Sequence, residues 1–241
     1  MAPQAPKEQV WWAKASPWVH GGPRQLCAGA VDRHRIVQAP RSYARSMPTT
    51  HLLYLHGFRS SPLSTKARKM HEAVAKRYPR VLWWCPQLPP SPKSAMQLIE
   101  DGIAGWPLAS MAVVGSSLGG FYAAAVAERT GCKAALLNPA VDPARDLAAY
   151  VGEQTTWQNP EDHFFFRAEF VDELRALDTG GFTDPERYYT LIAKGDEVLD
   201  WREMTARFPA AHGTLLEASD HALSDFEDHE DDLLMFLNLA V

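Results

Sequence analysis

The sequence predicts an open, doubly wound α/β domain, with a mainly parallel sheet of about six strands, helices on both faces and a minimal cap. From residue 49 onward, short apolar runs alternate with amphipathic or alanine-rich stretches, as parallel strands joined by crossover helices require. The apolar runs are continuous, which is typical of strands covered on both faces. The length of 241 residues is enough for one substantial core.

Six apolar runs are predicted as strands, and seven further segments as helices. The strands are residues 51–55, 81–85, 111–115, 134–138, 188–193 and 214–217. The helices are residues 65–78, 94–104, 118–129, 143–151, 162–177, 200–208 and 225–239. Proline at 79 and glycine at 131 mark the ends of the first and third helices. Ligands of such sheets bind outside the carboxyl ends of the strands, so the residues that follow each strand are where chemistry is expected.

Composition and charge exclude several classes of protein. Hydrophobic residues make up 46% and charged residues 22%, which excludes a wholly disordered, collagen-like or coiled-coil chain. A net charge of −5 argues against a dedicated nucleic-acid binder. Three cysteines without a CxxC pair favour neither a disulfide framework nor a zinc site, and they fit a reducing, cytoplasmic setting. The uncharged stretch 102–127 is interrupted by turn formers, so neither export nor a membrane span is expected.

Residues 1–46 differ from the rest of the chain. They carry seven Lys or Arg against two Asp or Glu, five prolines and no sustained helical or strand period. This composition is typical of a disordered or peripheral segment. A basic interaction arm, an organelle transit peptide and translated sequence upstream of a natural start at Met47 all fit it. The α/β domain is predicted over residues 47–241.

The strand at 111–115 leads into the motif Gly-Ser-Ser-Leu-Gly and then an alanine-rich helix. A serine nucleophile projects from a tight strand-to-helix turn, with small residues two positions before and after it so that the backbones can pass. Gly115 and Gly119 occupy those positions, which selects Ser117 as the nucleophile. A glycine-rich packing turn is the alternative, whereas a phosphate-binding loop lacks its Gly-Lys-Ser/Thr sequence here.

A serine nucleophile needs a base and an orienting acid, and in α/β-hydrolases they follow it in the order acid, histidine. Asp196 comes just after the strand at 188–193, and His221 comes after the last strand. Asp142 also follows a strand and could supply the acid. Asp200 is explained more simply as a helix cap, and Asp220 is too close to the base along the chain to orient it.

Two further predictions concern the substrate. Backbone N–H groups of Phe58, after the first strand, and of Leu118 are predicted to form the oxyanion hole. Between residues 138 and 177, an aromatic group could line an acyl pocket as a small cap, or simply pack a crossover helix on the sheet; its members are Trp157, Phe164 and Phe165.

Blocks along the chain resemble the small bacterial YqiA-type esterase family of α/β-hydrolases. They are residues 52–58 (LLYLHGF), 60–62 (SSP), 64–67 (STKA), 115–122 (GSSLGGFY), 137–140 (LNPA), 195–200 (GDEVLD), 221–222 (HA) and 226–228 (FED). The resemblance implies a compact serine esterase that uses Ser117, Asp196 and His221 on acyl esters, with acyl-CoA thioesters as a further substrate class. It also implies a domain that begins near Met47. The sequence departs from it at 218–220, where a Gly/Asn-rich turn is expected.

These observations together predict a serine carboxylesterase that works through a covalent acyl-enzyme. No metal or organic cofactor is expected, and the expected partner is a small acyl ester or thioester, with the chain a monomer or small homo-oligomer. A serine peptidase or another acyl transferase on the same fold remains an alternative, because triad residues do not name the leaving group. A non-catalytic binding protein is a further alternative.

Overall fold

A computed structural model describes residues 47–241, so the predictions for residues 1–46 lie outside the described part of the chain. The strands are β1 (His51–Leu55), β2 (Leu82–Trp84), β3 (Met111–Ser116), β4 (Lys133–Leu137), β5 (Gly152–Thr155), β6 (His163–Phe166), β7 (Tyr188–Ala193) and β8 (His212–Leu216). Six of them form a parallel sheet in the order β2-β1-β3-β4-β7-β8. The predicted α/β class and its six-stranded parallel sheet are confirmed.

The helices are α1 (Thr65–Arg77), α2 (Pro92–Ile103), α3 (Leu118–Thr130), α4 (Pro143–Leu147), α5 (Ala168–Leu177), α6 (Trp201–Arg207) and α7 (Glu230–Leu237). Serine side chains begin the first two, because Ser64 and Ser91 each accept a backbone N–H of the first turn. Gly131 ends α3 with φ of 75°, a left-handed conformation that glycine adopts without strain. Within residues 47–241, none of the helices combines the length and apolar character needed to cross a membrane.

Alternate residues of the central strands feed two hydrophobic cores, one on each face of the sheet. In β1, Leu53 and Leu55 join the core formed with α2, α3 and α5, while Leu52 and Tyr54 join the core formed with α1 and α7. Both faces therefore demand apolar side chains, which explains the continuous apolar runs in the sequence. Helix α3 is buried around nearly its whole circumference because it packs against the middle of the sheet.

The predicted helix at 162–177 is wrong in its first third. His163–Phe166 form β6, which pairs antiparallel with β5 in a separate hairpin, and the helix begins only at Ala168. The reason is a period of two: Phe164 and Phe166 turn inward while His163 and Phe165 turn outward, a pattern that suits a pleated strand. The helices predicted at 143–151 and 225–239 are shorter, because 3₁₀ turns occupy Ala148–Tyr150 and Phe226–Asp228.

The carboxyl ends of the parallel strands place five loops along one edge of the sheet. Phe58 follows β1, Ser117 follows β3, Asn138 follows β4, Asp196 follows β7 and His221 follows β8. These five strands are adjacent in the order β1-β3-β4-β7-β8, so their loops are neighbours in space. This edge holds the candidate site.

Candidate active site

Ser117 lies in a strained turn between β3 and α3. Its φ of 56° and ψ of −123° fall in a region that non-glycine residues seldom occupy. The turn is held by its own backbone: Ser117 N–H donates to Leu137 O at 3.0 Å, and Ser117 O accepts from Gly120 N at 2.8 Å and Ala140 N at 3.0 Å. This geometry lifts the serine side chain out of the strand at the carboxyl edge of the sheet.

The two glycines around Ser117 permit the close approach of three elements. A Cβ on Gly115 would overlap the backbone carbonyl of Gly119, and a Cβ on Gly119 would overlap that of Leu55. Strands β1 and β3 and the first turn of α3 therefore pass at backbone contact. Any larger side chain at either glycine would push the serine turn away from the sheet.

Asp196 and His221 meet across the loops that follow β7 and β8. The distance from Asp196 Oδ2 to His221 Nδ1 is 2.7 Å, and the aspartate side chain is fully buried. Its other oxygen, Oδ1, accepts the N–H groups of Val198 and Leu199, both at 2.8 Å, which fixes the carboxylate in its own loop. The His221 backbone N–H donates to Glu197 at 3.0 Å.

This arrangement specifies which ring nitrogen of His221 is left free to accept a proton. A carboxylate that already accepts two backbone N–H groups accepts a third proton donor from Nδ1. In the neutral imidazole the proton then resides on Nδ1, and Nε2 keeps a lone pair that can take a proton.

The rival carboxylates are occupied elsewhere. Asp142 and Asp200 accept backbone N–H groups at the start of α4 and α6, as N-caps do. Asp220 accepts both the N–H and the hydroxyl of Ser224, at 3.0 and 2.7 Å. Asp196 is the carboxylate that contacts the His221 ring.

The hydrogen bonds within residues 47–241 do not include one from the Ser117 hydroxyl to His221. The structure therefore brings Asp196 and His221 together, whereas the predicted link from His221 to Ser117 is not made. Such links are often long or misaligned before substrate is bound. The two sides are joined through β4, because Ser117 N–H bonds to Leu137 O while the next residue, Asn138, contacts the His221 loop.

The N–H groups of Phe58 and Leu118 are available to a ligand. Neither donates a hydrogen bond to another atom of residues 47–241. Leu118 is the first residue of α3, where the helix leaves its N–H unpaired and the helix dipole favours negative charge. A Cβ on Gly57, just before Phe58, would lie 3.2 Å from the Ser117 Cβ, so this turn passes close to the serine side chain. Leu118 directly follows Ser117, and Phe58 follows the glycine whose turn passes the serine, so both donors are near Ser117.

His56 fixes the direction of the Phe58 N–H. Leu88 N–H donates to His56 Nε2 at 3.1 Å, so Nε2 is unprotonated and Nδ1 carries the proton, which it donates to Gly57 O at 3.0 Å. Burial lowers the pKa of His56 and keeps the ring neutral. The Gly57 carbonyl and the Phe58 N–H belong to one planar peptide unit, so holding the carbonyl orients the N–H.

The β5–β6 hairpin packs on the loop that carries Phe58. The Phe58 ring makes edge contacts with Phe164, Phe166 and Tyr150, with ring centroids 5.9, 5.2 and 5.6 Å apart. Phe164 thus lies beside the candidate site. Phe165 lies on the opposite face of the hairpin and is 59% exposed, a placement that does not support a pocket role.

Trp157, in the turn of the hairpin, is stacked on Arg59. The guanidinium carbon is 4.1 Å from the ring centroid, and the indole side chain is 66% exposed. Arg59 also donates to Thr155 O at 2.6 Å and to its hydroxyl at 3.0 Å. Arg59 therefore connects the hairpin to the loop after β1 by hydrogen bonds. Trp157 stacks on the guanidinium that makes them.

Sequence reasoning missed two residues of this edge. Lys66 donates from Nζ to His221 O at 2.7 Å; in the sequence it is a lysine on an amphipathic helix, within the block 64–67 of the family resemblance, and neither feature indicates this contact. Asn138 is fully buried; its amide donates to Asp220 O at 3.1 Å and accepts Ala193 N–H at 2.8 Å. A signal for Asn138 was present, because it is a polar residue directly after a buried strand.

No group of three or more His, Cys, Asp or Glu side chains within residues 47–241 could hold a metal ion. The two described cysteines are unsuited to nucleophilic chemistry, because burial raises the pKa of Cys85 to about 12 and that of Cys132 to about 11.

The chain is similar to solved structures whose descriptions name α/β hydrolases and esterases. Est1E from Butyrivibrio proteoclasticus superposes with a TM-score of 0.61 at 12% identity, covering 79% of this chain and 87% of that one. Alpha/beta hydrolase domain-containing protein 10 from mouse gives a TM-score of 0.59 at 16% identity, covering 78% and 91%. The esterase domain of a Rhodothermus marinus protein gives 0.54 at 18% identity, covering 81% and 86%. At these identities the likeness establishes the α/β-hydrolase fold alone.

The family comparison covers nearly the whole described domain. Residues 51–238 match the family described as "Uncharacterised protein family (UPF0227)". The matched segment contains all six strands of the parallel sheet and every residue of the candidate site. The resemblance to the YqiA-type family is thereby confirmed: the chain belongs to the UPF0227 family of α/β-hydrolase fold proteins.

Proposed function

We propose that the protein is a serine carboxylesterase that hydrolyses acyl esters through a covalent acyl-enzyme, with Ser117 as nucleophile, His221 as base and Asp196 as the orienting acid. The observation that carries the proposal is the buried Asp196–His221 hydrogen bond of 2.7 Å on the same sheet edge as a serine held at φ of 56°. The hydrolases and esterases among the structural neighbours support it through the shared fold.

In the proposed mechanism, His221 Nε2 takes the hydroxyl proton as Ser117 Oγ attacks the ester carbonyl. Asp196 accepts from Nδ1–H throughout and stabilises the imidazolium that forms. The N–H groups of Phe58 and Leu118 donate to the oxyanion of the tetrahedral intermediate. His221 then protonates the leaving alcohol, and water repeats the sequence to release the acid and free Ser117.

The acyl group would lie against Phe164, the half-buried ring beside Phe58. The separate hairpin beside Phe58 has only two short strands, so we expect a shallow site that prefers short to medium acyl chains. Acyl-CoA thioesters are a second substrate class for the same chemistry, since a thiol leaves in place of an alcohol.

The test is hydrolysis of p-nitrophenyl esters of increasing chain length by wild type, Ser117→Ala and Ser116→Ala. Ser116 is the matched control, because it is the neighbouring serine, buried at the end of β3. We expect no detectable turnover in Ser117→Ala and retained turnover in Ser116→Ala. Turnover that survives in Ser117→Ala rules out this nucleophile.

The leaving group is tested with matched p-nitrophenyl esters, acyl-CoA thioesters and p-nitroanilides. Faster cleavage of the anilides would replace the esterase proposal with a peptidase. A folded wild type that is inert on all three substrate classes would favour a binding protein.

A further inference from the structure

We propose that Lys66 is a positioning residue, which holds the His221-bearing loop against the Asp196-bearing loop by donating from Nζ to the His221 carbonyl. This inference rests on the proposed function, because it assigns a task to Lys66 only if Asp196 and His221 form the acid–base pair. It adds to the site a residue from α1, an element that carries none of the triad.

The contact itself is direct and short. Lys66 lies in the first turn of α1, and its Nζ is 2.7 Å from His221 O, a separation of 155 residues along the chain. The carbonyl belongs to the residue whose ring must point at Ser117. A shift of that carbonyl therefore moves the backbone from which the catalytic ring extends.

The carboxylates around Lys66 favour a positive charge at this position. Three carboxylates act on it electrostatically: Asp196 and Glu197 from the loop after β7, and Asp220 from the loop after β8. Like charges on two neighbouring loops repel each other, and a positive charge shared between them offsets that repulsion. Burial nevertheless costs the cation solvation, and it lowers the pKa of Lys66 to about 8.

A second, neutral group also holds the His221 loop. Asn138 Nδ2 donates to Asp220 O at 3.1 Å and to His221 O at 3.4 Å, while Asn138 Oδ1 accepts the N–H of Ala193 at the end of β7. The His221 carbonyl thus receives donors from α1 and from β4. Of these, the Lys66 bond is the shorter one and carries the charge.

The next lysine on the same face of α1 shows what a surface lysine does. Lys69 donates to Glu227 at 2.8 Å in an exposed ion pair and touches Ser224 O at 3.5 Å, beyond the catalytic loop segment. Lys69→Met removes the same charge from the same helix without touching the triad. It is the matched control for Lys66→Met.

The experiment measures kcat and KM for a p-nitrophenyl ester in the full chain of wild type, Lys66→Met, Lys66→Arg and Lys69→Met. Since small misplacements of a catalytic group cost about tenfold to a hundredfold in rate, we expect a kcat loss of that size in Lys66→Met, with KM unchanged. Lys69→Met should match wild type, and Lys66→Arg should recover part of the loss. A kcat in Lys66→Met equal to that of Lys69→Met, or a rise in KM alone, overturns the proposal.

Amide hydrogen exchange at residues 221 and 222, followed by NMR, provides a readout that needs no activity. Exchange should quicken in Lys66→Met and stay at the wild-type rate in Lys69→Met; equal rates in both variants overturn the proposal. If the wild type hydrolyses no ester, the proposed function fails, while this measurement still decides whether Lys66 holds the loop.

If Lys66→Met does not fold, the proposal is tested by comparing the pH dependence of kcat in wild type and in Lys66→Arg. The groups that face this site are Lys66, Asp196, Glu197, Asp220 and His221. Lysine with a pKa of about 8 loses its charge on passing from pH 7 to pH 9, whereas arginine keeps it. The kcat of wild type should fall relative to Lys66→Arg over this range, and parallel profiles contradict the proposal.

Discussion

Two parts of the candidate site are held in place by different kinds of force. The loops that carry Asp196 and His221 are joined by hydrogen bonds to charged and amide groups, among them Lys66 Nζ and Asn138 Nδ2. The loop that carries Phe58 is packed mainly against aromatic rings of the β5–β6 hairpin and of Tyr150 before it, and Arg59 adds two hydrogen bonds to Thr155 at its surface. Hydrogen bonds fix a direction and a distance, whereas packed rings supply most of their stabilisation through buried area.

The difference predicts how each side responds to mutation. A change on the polar side should lower turnover far more than it lowers the free energy of unfolding. The atoms lost there fix the orientation of the His221 ring or of its backbone carbonyl and bury little apolar area. A change on the aromatic side should do the opposite. His56 is the exception that joins the two, since it is buried among the packed loops yet orients a single peptide unit.

The largest effect is expected for Asp196→Asn. The amide oxygen can still accept the N–H groups of Val198 and Leu199, so the loop keeps its shape. The amide nitrogen, however, would face His221 Nδ1 with a proton and force the ring proton onto Nε2, the nitrogen that should act as base. We expect kcat to fall about 10⁴-fold, as the same change does in a Ser-His-Asp triad.

The control for Asp196→Asn is Asp200→Asn four residues later, at a carboxylate that caps α6. It should keep wild-type kcat on p-nitrophenyl esters and unfold at a similar urea concentration, since asparagine also caps helices. Equal losses of kcat in the two variants would show that the loop, and not the acid, is being perturbed.

A large effect on stability is expected from the hairpin. Phe166 is 1% exposed beneath Phe58, so Phe166→Ala should lower the free energy of unfolding by about 3–5 kcal/mol. Phe165→Ala, one residue earlier and 59% exposed, should change it by less than about 0.5 kcal/mol. Urea unfolding monitored by circular dichroism measures both. Similar destabilisation by the two variants would contradict the inward–outward alternation of β6.

The polar side was largely predictable from the sequence. Buried strands of a parallel sheet end at one edge, so Ser117, His221 and two candidate acids, Asp142 and Asp196, could be placed at one edge from the strand ends; the structure then distinguishes Asp196 by its hydrogen bond to His221. Gly115 and Gly119 then selected one serine from two, because only a residue without a Cβ permits those backbone contacts. The expectation of a Gly/Asn-rich turn before His221 has a physical basis as well, because Ser219 adopts φ of 96° there.

The hairpin and the positioning residues could not be derived in the same way. Three consecutive phenylalanines fit a buried helix segment and a strand equally well by composition, and the pairing with residues 152–155 is a tertiary choice. Lys66 reads as one of several lysines on an amphipathic helix, because nothing local reports which of them meets a carbonyl 155 residues away. Asn138 could have been singled out, but its partners could not.

Two substitutions at His56 separate the hydrogen bond that orients the Phe58 peptide from the hydrogen bond to Leu88. Asparagine at position 56 places its amide nitrogen near the position of Nδ1 and can still donate to Gly57 O. Glutamine reaches the position of Nε2 instead, where its amide oxygen can accept from Leu88 N–H. If orientation of the Phe58 N–H matters, His56→Gln should lose about 10²-fold in kcat, the cost of one oxyanion donor. His56→Asn should retain most of the turnover.

The p-nitrophenyl ester assay and the binding of a trifluoromethyl ketone measure this difference between the His56 variants. Both variants give up one hydrogen bond of the ring, so their stabilities should be similar. Equal kcat values in His56→Asn and His56→Gln, or a greater loss in the asparagine variant, would mean that the Leu88 bond is the one that matters and that the Phe58 peptide is fixed by other contacts.

The smallest effect is the pH dependence of stability that Lys66 contributes. Burial lowers its pKa to about 8 in the folded protein, while the unfolded chain keeps the ordinary value of 10.5. Between these values unfolding takes up a proton, so the Lys66 contribution to the free energy of unfolding rises with pH, by about 1 kcal/mol per unit near pH 9. Lys66→Met removes this contribution, and buried tyrosines and cysteines, which act with the opposite sign, are common to both proteins. Urea unfolding of the two proteins should therefore show that the free energy of unfolding of wild type, relative to that of Lys66→Met, is higher at about pH 9.5 than at about pH 8.5. A constant difference would mean that the pKa of Lys66 is the same in the folded and unfolded protein, which contradicts the lowering by burial.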